Sequence, residues 1–221
     1  MLAGVNKKEI EFIKERCPQL DLISVQVYGG LASVPQQLRS AGWEGPYMVT
    51  EWGPTGHWEG LQTSWKASIE ETSSEKAAVY RSRYEYSIDR DKEKCLGSYV
   101  FLWGQKQERT PTWYGLFTEK GEESEVVDVM QFLWSGKWPQ NQAPHIYSFQ
   151  IDNKKVTDNI VLKPGGSYNI LATAFDPNID KLNYRWELIA AATKLGEGGD
   201  HEDRPAVIES SITNSIAGKA T

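Results

Sequence analysis

An α/β region followed by an all-β region is the fold class that this sequence predicts, and three observations predict it. Apolar runs with strand and helix periods alternate from residue 6 to residue 134, the pattern of parallel strands joined by crossover helices. The stretch Lys137 to Pro144 then shifts to Trp-Pro-Gln-Asn-Gln-Ala-Pro. Beyond it the helical period is gone, and short alternating runs bounded by turn residues take over.

The elements follow in order. Ile10, Ile13, Cys17 and Leu20 fall near the three, four, seven spacing of one helix face, with Asn6 as N-cap and Pro18 as terminator. Leu22 to Tyr28 reads as a strand closed by Gly29 and Gly30, with Ile23, Val25 and Val27 on one face and Ser24, Gln26 and Tyr28 on the other. A short helix is expected over Pro35–Ser40, then a strand Tyr47–Glu51 that ends in Trp52-Gly53-Pro54. A long polar and aromatic loop leads to a helix over Ser73–Lys94, opened by the capping-box pattern Thr72-Ser73-Ser74-Glu75 and buried along Ala77, Tyr80, Tyr84 and Ile88. A third strand, Ser98–Trp103, precedes a loop Gln105–Tyr114 and a last helix Glu122–Trp134 with Val126, Val129, Met130 and Leu133 inward. Trp134 is expected in the core. Three such units make part of a (β/α)₈ (TIM) barrel and cannot close one.

After the linker, strands are expected at His145–Ile151, Asn159–Lys163, Tyr168–Phe175, Leu182–Ile189 and Ala206–Ile212, with no closing strand at the end. These suggest an immunoglobulin-like β-sandwich, short of the roughly 100 residues such a fold uses. The predicted organisation is therefore a partial barrel over residues 1–138, a linker over 139–144 and a sandwich over 145–221.

Composition narrows the partners. A net charge of −6 over 221 residues argues against nucleic acid or an anionic membrane surface, both of which select Lys and Arg patches. No run of about 18 apolar residues occurs, so no transmembrane segment is predicted. Cys17 and Cys95 are too few for a disulfide framework and lack metal-site spacing, so both are read as buried small hydrophobes, and neither a metal nor a cofactor is expected. Eight of the nine tryptophans precede residue 140. Indole faces pack on the CH face of sugar rings as well as in cores, which makes loop-borne Trp58, Trp65 and Trp113 candidate ligand contacts.

Tyr28, Glu51 and Trp103 stand at the C-terminal ends of three successive predicted strands, where barrel enzymes build their sites. Retaining glycosidases need a carboxylate nucleophile about 5 to 5.5 Å from a carboxylic acid; a phenol can orient that nucleophile and an indole can floor the adjacent sugar. Trp52, His57 and Trp58 follow the carboxylate, and Gln105, Gln107, Glu108 and Arg109 follow the third strand; all are candidate sugar contacts. Glu70-Glu71 and Glu122-Glu123 read as solvated charges at helix entries.

The segments Asp21–Tyr28, Tyr47–Gly53 and Gly97–Trp103 resemble strands six, seven and eight of the glycoside hydrolase clan that includes families 2 and 5. The resemblance covers roughly residues 6 to 138 and implies Glu51 as nucleophile, Tyr28 as its hydrogen-bonding partner and Trp103 as a wall of the central subsite. It implies an oligo- or polysaccharide substrate, which the negative net charge suggests is neutral, and a periplasmic, cell-surface or secreted parent protein. The clan's acid/base Glu follows an Asn on strand four, and no Asn-Glu pair occurs in the chain. The chain is thus expected to be a fragment, inactive alone, whose missing N-terminal barrel half lies in its parent. The alternative is a non-catalytic carbohydrate-binding or cell-surface interaction protein. Ala174–Glu187 resembles the turn and strand of cadherin-like and polycystic-kidney-disease-type modules, with Trp186 in the core. Asp176, Asn178 and Asp180 there suit either calcium or a simple Asx-rich turn.

Overall fold

The computed structural model describes residues 1–196 and 199–221. It is a mixed α/β structure with one parallel sheet, in the order β1-β2-β3-β4, and one antiparallel sheet, in the order β5-β6-β8-β7.

The parallel sheet has four strands, one more than the sequence reading. Strand β1 (Leu2–Ala3) pairs with β2 (Ile23–Gln26), and Gly4 N donates to Gln26 O at 2.8 Å. Two residues carry no period, which is why β1 escapes a pattern search. Helix α1 (Lys7–Arg16) is capped as expected, the Asn6 side chain accepting from Lys8 N at 2.9 Å. Ile10 is fully buried, but Cys17 and Leu20 are exposed. Both follow the last helical turn, so the apolar stripe ends one turn early, and of the two cysteines only Cys95 is the buried hydrophobe expected.

Helix α2 (Val34–Ser40) follows a 3₁₀ turn over Gly29–Ser33, and strand β3 spans Tyr47–Trp52. Helix α3 (Ser73–Arg83) opens with the expected capping box: Thr72 Oγ1 accepts from Glu75 N and Glu75 Oε2 from Thr72 N. A π turn over Tyr84–Asp89 continues it, so the regular helix stops well before Lys94. Strand β4 is Cys95–Val100, shifted towards the N-terminus from the expected Ser98–Trp103. Phe101 N still donates to Trp52 O at 2.7 Å; the chain then leaves the sheet, and Leu102 pairs instead with the backbone of Tyr114 and Leu116. Helix α4 (Glu125–Ser135) ends where Gly136 takes a left-handed conformation, φ 72°, and donates to Phe132 O.

Ile10 of α1, Leu31, Val34 and Leu38 beside α2, Ala77 and Tyr80 of α3, and Val126, Val129 and Met130 of α4 form one core with Ile23, Val25, Tyr47 and Val49. The helices therefore cover one face of the parallel sheet. The opposite face carries Ser24, Gln26 and Met48, and the exposed Leu96 and Tyr99. Trp134 is half exposed rather than core, leaning on Trp103 at 5.9 Å.

In the antiparallel sheet β5 (His145–Ile151) pairs with β6 (Ile170–Phe175), and β8 (Lys219–Ala220) pairs with both β6 and β7 (Ser215–Ile216). The expected strands at 159–163, 182–189 and 206–212 are not formed; the last two meet in a single bridge, Ile189 to Val207. Chain-end strands β7 and β8 appear where none was expected. Trp186 is half-buried between Phe149 and Tyr184. Asp176 Oδ1 accepts from the N–H groups of Asn178 and Asp180, and Asn178 binds the backbone of Gln142 and Gln140. This segment is an Asx turn that holds the linker.

Candidate active site

Strict alternation along β3 would put Glu51 on the same face as Tyr47 and Val49, inside the core. The register prevents it. Val25 pairs with Val49, but Gln26 pairs with Glu51, so Thr50 is an extra residue on β3. A bulge of this kind re-aims the side chains beyond it. Glu51 joins the Gln26 face, and Trp52 turns back under the helices.

Two donors hold the Glu51 carboxylate: the Tyr28 phenol reaches Oε1 at 2.8 Å and the Gln26 amide reaches Oε2 at 3.1 Å. Burial, and then the bond to Glu51, push the Tyr28 phenol far above the ordinary phenol range. Tyr28 is thus a permanent donor. Edge-on contacts from Trp58 at 5.3 Å, Tyr114 at 5.9 Å and Phe101 at 6.4 Å box in its ring.

Several expected contacts fall elsewhere. Trp52 is fully buried against Tyr80 and Tyr84, the consequence of the bulge, and has no surface to offer a ligand. Trp103 lies beyond the end of β4, exposed, and packs on Phe117 and Trp134, while Phe101 is the aromatic of this segment that lies beside Tyr28. Trp113 is buried, its indole N–H donating to Thr55 O at 3.0 Å. Gln105 donates its amide to Pro111 O and so braces its own loop. Trp58 and Trp65 are exposed as expected.

His57 is a fixed part of the site rather than a solvated loop residue. Its Nδ1 lies 2.8 Å from the Tyr114 hydroxyl and its Nε2 accepts from Arg109 at 3.0 Å, which assigns the remaining ring proton to Nδ1. Burial, followed by the Arg109 charge, lowers its pKa below the ordinary value. Lys106 and Glu108 pair at 2.6 Å beside it. Pattern reading did not single out Glu59, whose Oε1 accepts from Gly29 N at 2.6 Å and Gly56 N at 2.9 Å. A Cβ on Gly29 would sit 2.6 Å from that carboxylate, so glycine there lets a side chain thirty positions away close onto the turn after β2. Glu70 is likewise no solvated helix-entry charge: it pairs with buried Lys76 and accepts from Thr110 and Thr112. The local signal for Gln26 was its place on the same strand face as Tyr28; Phe101, Tyr114 and Glu59 gave none.

A cleft of about 1160 Å³ lies nearby and does not reach Glu51. It lies between the loop Trp58–Ser68, the loop Arg109–Trp113 and residues of the second region that include Phe149 and Arg185. His57 and Trp58 border both this cleft and the Tyr28 cluster.

No family model matches the sequence and no curated protein matches it. Among solved structures, the chain is similar to a GH2 β-galacturonidase from Eisenbergiella tayi bound to galacturonate, at 15% identity and TM-score 0.38 over 59% of this chain and 29% of that one. It is also similar to a β-glucuronidase of Faecalibacterium prausnitzii, at 19% identity and TM-score 0.39 over 60% and 23%. A glucosidase from Croceicoccus marinus gives 14% identity and TM-score 0.41 over 78% and 38%. The chain spans less than half the length of each.

Proposed function

We propose that this chain is the C-terminal part of the (β/α)₈ barrel of a retaining O-glycosyl hydrolase acting on a neutral oligo- or polysaccharide, with Glu51 as nucleophile. One observation carries the reading: a carboxylate at the end of a parallel strand is turned out of the core by a bulge and gripped by two neutral donors. Gln26 ends β2 and Tyr28 stands two residues beyond it, so the attacking oxygen is fixed in direction by two neutral donors and not by a cation. Tyr28 and Gln26 are positioning residues. Glu51 attacks the anomeric carbon, the glycosidic oxygen leaves with a proton from a carboxylic acid, and water then cleaves the glycosyl ester. We assign that acid to a strand of the barrel outside these 221 residues, since Glu59 is occupied by two backbone donors.

We assign residues 1–138 to the barrel, 139–144 to the linker and 145–221 to an immunoglobulin-like sandwich of the cadherin or polycystic-kidney-disease type, in a periplasmic, cell-surface or secreted parent. In a protein carrying the whole barrel, Glu51→Gln is expected to lower kcat on the order of a thousandfold or more, and a 2-fluoro glycoside should leave its sugar covalently on Glu51. Full activity of Glu51→Gln sinks the assignment. The exposed indole of Trp58 favours a second reading, non-catalytic carbohydrate binding. That reading wins where sugar is bound by the whole-barrel protein, Glu51→Ala leaves binding intact and no turnover occurs.

A further inference from the structure

We infer that the cleft between the two regions is a binding site for an extended neutral oligosaccharide, with the second region supplying its outer wall. The inference rests on the glycosidase reading for its ligand class and deepens it: the preferred ligand is a chain of several sugars, not a mono- or disaccharide.

The cleft's volume, about 1160 Å³, exceeds the roughly 300–1,000 Å³ of small-molecule pockets. It starts beside the carboxylate site, because Trp58 touches Tyr28 on one side and lines the cleft on the other. Its walls offer what a sugar chain uses. Exposed aromatic surface stands at Trp58 on the first region and at Phe149 on the second, and such faces pack on the CH side of pyranose rings. Between them the exposed Arg185 supplies a planar guanidinium suited to paired hydroxyls. The outer wall is held in place: Arg204 pairs with Glu119 of the first region and Glu187 of the second, and Glu202 accepts from Arg109 N at 2.8 Å.

The test is calorimetric titration of the 221-residue chain with cellohexaose, laminarihexaose, mannohexaose and xylohexaose and with their disaccharides. One hexaose should bind roughly tenfold or more tighter than its disaccharide. Ala191→Trp, which fills the cleft from an exposed loop position, and Phe149→Ala should each remove most of that difference and leave the disaccharide within about twofold. The thermal transition of Ala191→Trp reports that the fold survives. Equal affinity for long and short ligands, no binding of any hexaose, or an unaltered hexaose affinity in folded Ala191→Trp overturns the inference. A hexaose bound in this length-dependent way but never cut by the whole-barrel protein leaves the cleft standing and removes the hydrolase reading.

Discussion

At Glu51 the chemistry depends on which side of β3 the carboxylate occupies, and at Tyr28 on the turn that follows β2. A phenol whose ionisation is suppressed by burial remains a donor at any physiological pH, and its proton points at one carboxylate oxygen only. His57 extends this ordering outward. Arg109, Lys106, Glu108 and Glu202 all face it, and burial and the two cations outweigh the carboxylates, so its folded-state pKa lies below its unfolded value. The sign follows: the unfolded chain takes up the proton first on acidification, so the stability that neutral His57 contributes is complete above the unfolded pKa near 6.5 and is lost as pH falls through that value towards the folded one. Denaturant midpoints measured between about pH 7 and about pH 5 should fall further in the native protein than in His57→Gln. Parallel pH profiles for the two would show that His57 is protonated as easily folded as unfolded.

The elements that carry these residues differ in how far local sequence determines them. Helix α3 is a local structure: its capping box lies within four residues and forms as written, so Thr72→Ala should cost about 1 kcal/mol of stability, seen as a lower denaturant midpoint with an unchanged slope. A cost near zero would mean that packing of Ala77 and Tyr80 alone fixes the helix start. Helices α1 and α4 and strands β2 and β3 were legible for the same reason, since period and caps are written within each segment. The bulge at Thr50 was not legible. It arises from pairing with β2, twenty-five residues away, and it decides that Glu51 faces outward while Trp52 is buried. Strand β4 was misplaced because Tyr99 to Trp103 is one apolar run, and only the long-range pairing of Leu102 with Tyr114 and Leu116 shows where the sheet ends. Alternating runs at 182–189 and 206–212 met the strand pattern but found only one bridging pair, because alternation specifies a face and not a neighbour.

Across the whole molecule, the helices cover one face of the parallel sheet and leave the other to Gln26, Glu51, Met48, Leu96 and Tyr99. In the proposed parent the rest of the barrel covers that face. In the 221-residue chain Leu96 and Tyr99 stand exposed on β4, a strand that ends the order of its sheet. Exposed apolar groups beside unpaired backbone N–H and C=O groups favour association with another edge. Light scattering behind size exclusion is therefore expected to give a mass that rises above the 25.0 kDa of the monomer as concentration increases. Tyr99→Lys adds a charge to that edge, a common way in which sheets resist pairing, and should return the mass to that of one chain. Tyr99 does not line the cleft on the other side of Trp58, so hexaose affinity should be unaffected. A native chain that stays monomeric at every concentration and unfolds in one cooperative step would mean that four strands and their helices need no further cover.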